Sequence, residues 1–149
     1  FDFFCKCCAD NRNRRFGVVY CPHKANDRKE EKLWTSFIRN IDHESVVRLA
    51  ELVSVQSGQV VSKTLAQNKT VSITLFAFDK GEEIGTHDST GDAMVTVLEG
   101  TGRFTVGGVP HIVKAGETLV MPAKVPHAVY GEEAFKWMLT VVFPDGFEA

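Results

Sequence analysis

Two glycine-punctuated stretches, each carrying one histidine, constrain this chain more than any other feature. The first, Phe76 to Gly100, reads Phe-Ala-Phe-Asp-Lys-Gly-Glu-Glu-Ile-Gly-Thr-His-Asp-Ser-Thr-Gly-Asp-Ala-Met-Val-Thr-Val-Leu-Glu-Gly. The second, Gly116 to His127, reads Gly-Glu-Thr-Leu-Val-Met-Pro-Ala-Lys-Val-Pro-His. Both alternate β-branched and aromatic runs with glycine, proline or aspartate, the punctuation of strands and turns. They set His87 and His127 forty residues apart on two strand-like segments. Any functional reading passes through that pair.

The same pattern extends on both sides. Val60–Leu65 and Val71–Phe78 read as strands separated by a hairpin turn at Asn68-Lys69. Met94–Leu98, Arg103–Val106, His111–Val113, Thr118–Met121, Ala128–Tyr130 and Phe135–Phe143 read as further strands. Gly107-Gly108 marks a tight turn, because both positions tolerate positive φ. Eight or more short strands predict a mainly β barrel or sandwich. One short N-terminal helix is expected over His43–Val53, with Asp42 as N-cap and Val46, Val47, Leu49, Ala50, Leu52 and Val53 as its apolar face. His43 then falls in its first turn as a solvated residue. Residues 34–57 form a helical lead-in and 58–149 the barrel.

Residues 1–33 are expected to be a loose extension. Their polar runs, Asn11-Arg-Asn-Arg-Arg15 and Asp27-Arg-Lys-Glu-Glu-Lys32, have neither period, and the missing initiator Met suggests a processed or truncated start. Cys5, Cys7, Cys8 and Cys21 all lie here, so the remaining chain holds no disulfide. With His23 they can be drawn as a zinc site, but the spacing fits no common finger, and a thiol-bearing tail is the preferred reading. The first 33 residues carry net charge +3 and the rest −5, with no basic stripe of the kind nucleic acid demands. No apolar run approaches the roughly 18 residues of a membrane span. One domain in the cytoplasm is the default expectation, with a small-molecule ligand and neither nucleic acid nor membrane as partner.

At the two histidines the chain resembles the cupin superfamily. Gly81, His87 and Gly100 fall in register with its first motif, and Gly116, Pro122 and His127 with its second. The resemblance covers about residues 58–143 and implies a double-stranded β-helix, or jelly-roll barrel, commonly dimeric. The long apolar strands Val60–Leu65 and Phe135–Phe143 fit that expectation, since open edges need cover. A typical member of the family holds manganese, iron, nickel or zinc with three histidines and a glutamate. Here Ser89 stands at the second histidine, Ala93 at the glutamate, Lys124 at a glycine and Gly131 at an asparagine.

The ligand pocket is therefore expected at His87, Ser89, Ala93 and His127; a regular strand puts Ser89 and Ala93 on the same face as His87, with Asp88 and Asp92 pointing the other way. A bulge near Gly91 would turn Asp92 inward to join the two histidines as a metal ligand. Three readings stand side by side. The pair can be pocket histidines of a small-molecule-binding protein of unassigned role. It can be a two-His core for a divalent metal in a dioxygenase- or isomerase-type enzyme, completed by Asp88, Asp92, water or substrate. It can also be a metal-free acid and base. Ser89 lacks a triad and reads as lining. His111 reads as structural or surface, Lys124 as surface, and Tyr130 as flanking the pocket. Met94, Met121, Met138, Phe76, Phe78, Phe104, Phe135 and Trp137 read as core or dimer interface.

Overall fold

The computed structural model of the chain describes residues 36–144. The readings made for residues 1–33, the cysteine cluster among them, lie outside the described residues. Among the described residues, nine antiparallel strands form two sheets. The first has the order β1 (Val60–Gln67), β2 (Val71–Phe78), β9 (Phe135–Val142), β4 (Asp92–Glu99), β7 (Thr118–Met121). The second has the order β3 (Glu83–His87), β8 (His127–Gly131), β5 (Thr101–Val106), β6 (Val109–Lys114). Among the described residues no helix is long and apolar enough to cross a membrane.

Turn chemistry fixes the hairpins. The Asn68 carboxamide oxygen accepts from the Thr70 and Val71 amides, both at 2.9 Å, closing the β1–β2 turn as an Asx turn. Gly107 and Gly108 have φ of 56° and 82°, the two left-handed residues of a primed hairpin joining Val106 to Val109. At the end of β2, the Asp79 carboxylate accepts from the Gly58 and Lys80 amides at 2.8 Å each. The Gly58 bond, then the Lys80 bond, lowers its pKa below the ordinary value of an aspartate.

β9 occupies the middle of the first sheet, paired along its length with β2 and β4. The sequence expectation of Phe135–Phe143 as an edge needing cover is corrected on this point; β1 and β7 are the edges of this sheet. Strand alternation turns Phe135 and Trp137 inward, where they meet Phe78 and Phe104 in a cluster of edge-on and stacked rings. Phe78, Phe104, Phe135, Met121 and Trp137 are at most 2% exposed. Met94 is 39% exposed on the outer face, so it is not core.

The expected helix does not form. Glu44 adopts φ 58° in a turn, Arg48 is extended, and one 3-10 turn, Leu49–Leu52, is all that remains. A single helix of this length is marginal without packing. An irregular path instead lays Leu49, Leu52, Val53 and Val55 across the outer face of the first sheet, against Leu65, Leu75 and Ala77. Lys136 Nζ donates to Ala50 O at 2.8 Å and pairs with Glu99 at 3.1 Å, tying this strap to β9 and β4. The strap covers part of that face; Met94, Val120 and Val142 remain exposed.

Gly102 lies beneath the Phe135 ring, and a Cβ there would collide with three ring atoms, whereas a Cβ at Gly85 meets nothing within 4 Å. Gly102→Ala is expected to cost about 1–3 kcal/mol by overpacking. Gly85→Ala should stay within about 0.5 kcal/mol. Denaturant titration of both variants checks the contrast.

Candidate functional site

Pairing of β3 with β8 sets the Cα atoms of His87 and His127 opposite one another, after a register shift between Ile84 and His87. Their rings stand 4.5 Å apart between centroids and 67° apart in plane. His127 is buried at 3% exposure, while His87 is exposed at the mouth. Each ring is held by the main chain two residues earlier: His87 Nδ1 lies 2.9 Å from Gly85 O, and His127 Nδ1 lies 2.9 Å from Val125 O. A carbonyl oxygen can only accept, so both Nδ1 atoms donate. Neutral imidazoles in that tautomer present an Nε2 lone pair each. Neither Nε2 has a hydrogen-bond partner among the described residues.

These rings border a cavity of about 410 Å³ between the two sheets. Phe76, Ala93, Met121, Trp137, Leu139 and Val141 supply its wall from the first sheet; Ile84, Val129 and the histidines supply it from the second. Asp88, Ser89 and Thr90 form the lip. Volume and apolar lining suit a small organic molecule. Trp137 presents its ring, stacked on Phe76 at 4.6 Å, but its Nε1 is sealed and has no hydrogen-bond partner. An orphaned indole N–H of this kind costs about 1–3 kcal/mol, less whatever the surrounding ring faces return.

The structure groups His87, Ser89, Ala93 and His127 around one cavity; Asp92 points away from it, as a regular strand requires and not as a bulge at Gly91 would turn it, whereas Asp88 does not point away. β3 ends at His87, so regular alternation stops there, and Asp88 sits on the lip instead of pointing away. Asp92 lies outside the cavity, in a separate cleft with Gly91, Ala123 and Val142. Its carboxylate accepts from the Ala123 amide at 2.8 Å. Gly91 is required for another reason than a bulge: a Cβ there would strike the Val142 carbonyl. Tyr130 faces a different cleft, beneath Arg103 at 4.6 Å, and Arg103 pairs with Glu132 at 3.2 Å. His43 is exposed, with Nε2 near Ser36 Oγ and Ile38 O; His111 is exposed on β6. Leu139 and Val141 were missed as lining residues, although alternation from Trp137 along β9 carries that signal.

Two loops are joined to make the lip. Ser89 Oγ accepts from the Gly91 amide at 3.2 Å, and the Lys124 amide donates to Ser89 O at 2.8 Å. Lys124 has φ 63°, at the third position of a Pro122–Val125 turn closed by Val125 N donating to Pro122 O. That position of a type II turn favours glycine. Lys124→Gly removes the left-handed strain at the cost of a freer unfolded chain, for an expected net gain of up to about 1 kcal/mol. A thermal melt that shows a loss of stability would mean the lysine side chain holds the lip.

The donor set was weighed against the metal that such a pair invites. Two Nε2 atoms are free, but Ser89 and Ala93 bring no charge. No group of three His, Cys, Asp or Glu side chains positioned for a metal occurs among the described residues. Two neutral donors fall short of the four or more ligands that zinc, iron, manganese or nickel take, so the protein's own residues do not complete a site.

Comparison with known proteins follows the same lines. A model of the cupin domain family matches residues 74–143. A protein of unknown function from Streptococcus pyogenes, known from its crystal structure, is 45% identical, with a TM-score of 0.74; the match covers 76% of this chain and 99% of that one. A cupin superfamily protein from Desulfitobacterium hafniense is 29% identical, covering 72% of this chain and 98% of its own, with a TM-score of 0.69. The dimethylsulfoniopropionate lyase DddW of Ruegeria pomeroyi is 29% identical over 79 residues, 52% of each chain. The chain thus spans about half the length of this curated relative.

Proposed function

The chain belongs to the cupin superfamily, and on that footing we propose that its barrel is a small-molecule-binding module whose site is the cavity between His87 and His127. The observation that carries the reading is the cavity itself: about 410 Å³, mostly apolar, with two carbonyl-anchored imidazoles on its wall. A preformed apolar space with a few oriented polar groups is what small-ligand sites share. The incomplete donor set favours a site that works without tightly held metal. In such a site each histidine can accept a hydrogen bond from a ligand through Nε2.

A second reading has one observation in its favour. Nδ1 anchoring of both rings leaves Nε2 directed as it would be in a ligating histidine. On this reading the protein is a metal-dependent enzyme of dioxygenase or isomerase type with a reduced two-His set. The similarity to a lyase over half of each chain adds weight to an enzymatic role in general without choosing the reaction. Elemental analysis of the purified chain separates the two. Substoichiometric metal, unchanged in a His87→Ala/His127→Ala double variant, is expected. One bound metal per chain, lost in that variant, overturns the first reading in favour of the second.

A homodimer is also proposed. Met94, Val120 and Val142 leave an apolar area on the first sheet beyond the strap, and a second copy can cover it through a self-complementary contact. Met94→Lys is expected to shift a dimer toward monomer in light scattering at micromolar concentration; a wild-type monomer under those conditions contradicts the proposal.

A further inference from the structure

The cavity wall has a charge character that narrows what it can hold. Among the described residues that line it, Asp88 carries the one formal charge, and none is a lysine or an arginine. His87 and His127 have each committed their Nδ1–H to a carbonyl, so in the neutral form both offer lone pairs and no proton. Ser89 and Thr90 can donate or accept through their hydroxyls. Trp137 holds the remaining N–H, but Nε1 is sealed from the cavity. Lys124 touches the lip through its backbone amide to Ser89 O, yet its side chain is exposed and is not part of the lining.

Every polar side chain a ligand meets among these can accept: one carboxylate, two imidazole nitrogens and two hydroxyl oxygens, and the hydroxyls alone can also donate. A ligand carboxylate or phosphate would enter with its charge against Asp88 and its oxygens against lone pairs, and no fixed cation would offset the loss of hydration. An ammonium group brings three donors and a positive charge to the same set. The apolar remainder of such a ligand then rests on Phe76, Leu139 and the Trp137 ring.

We propose that the metal-free cavity selects small amphiphilic cations, of the primary or secondary amine class, and rejects anions of the same shape. This rests on the reading of the cavity as a small-molecule site. A bound divalent ion would reverse the charge logic, so the test uses chelator-treated full-length chain.

Three near-isosteric probes serve: phenethylamine, 2-phenylethanol and 3-phenylpropionate. Each is titrated at pH 8, where the amine probe is protonated and the carboxylate probe ionised. Isothermal titration should rank the amine first, the alcohol second and the carboxylate last, with the amine at least about tenfold tighter than the carboxylate. Asp88→Asn, on an exposed lip, should weaken the amine about fivefold and leave the alcohol unchanged, in keeping with a partly screened ion pair. Equal or tighter binding of the carboxylate overturns the charge selection while leaving the cavity reading intact. Failure of all three to bind or to raise the melting temperature removes the cavity reading, and this inference with it. An amine affinity untouched by Asp88→Asn also overturns the proposal.

Discussion

Alternation along β9 is the constraint on which the rest of the barrel depends. Its eight residues are held between β2 and β4, so successive side chains have no choice of face. Phe135 and Trp137 point inward and lock the aromatic core; Leu139 and Val141, two and four residues further along, floor the cavity. Core and site are consecutive parts of one strand face. A slip of one residue would expel the indole from the core and the cavity floor together, which makes the register costly to change.

The polar side of the cavity is set by a different mechanism. The β3–β8 pairing puts the histidines opposite each other, and hydrogen bonds between the two lip loops keep the mouth in place. Asp92 contributes from outside the cavity: its carboxylate holds the Ala123 amide, which fixes the Pro122–Val125 turn beside Ser89. An acidic residue close to a histidine pair in sequence thus has a structural role, and the one acidic side chain on the lip is its near neighbour Asp88.

Much of this was legible in the amino-acid order, for identifiable reasons. Strands were readable because β-branched and aromatic runs were bounded by turn residues with known mechanisms, such as the Asn68 carboxamide and the paired glycines at 107 and 108. The two histidines were readable because their glycine and proline spacing is distinctive. Three things were hidden. The apolar residues from Val46 to Val53 looked helical, but Leu49, Leu52 and Val53 pack on a neighbouring sheet along an irregular path, and Val46 is left exposed. The central place of β9 follows from long-range pairing, which no local pattern encodes. The orientation of Asp88 turned on where β3 stops, and strand ends are poorly marked when a loop is polar throughout.

The carbonyl clamps on the two imidazoles have a consequence for how this site can drift. Gly85 O and Val125 O belong to the main chain, so substitutions of neighbouring side chains do not take the clamps away. Ring orientation is inherited from the strand path and needs no buried acid to guard it, in contrast to histidines oriented by a carboxylate. Positions 89 and 93 can then exchange polar, apolar or ligating residues while the pair keeps its aim. Such a scaffold tolerates loss and regain of chemistry at its edges, because the part hardest to rebuild is written in the backbone.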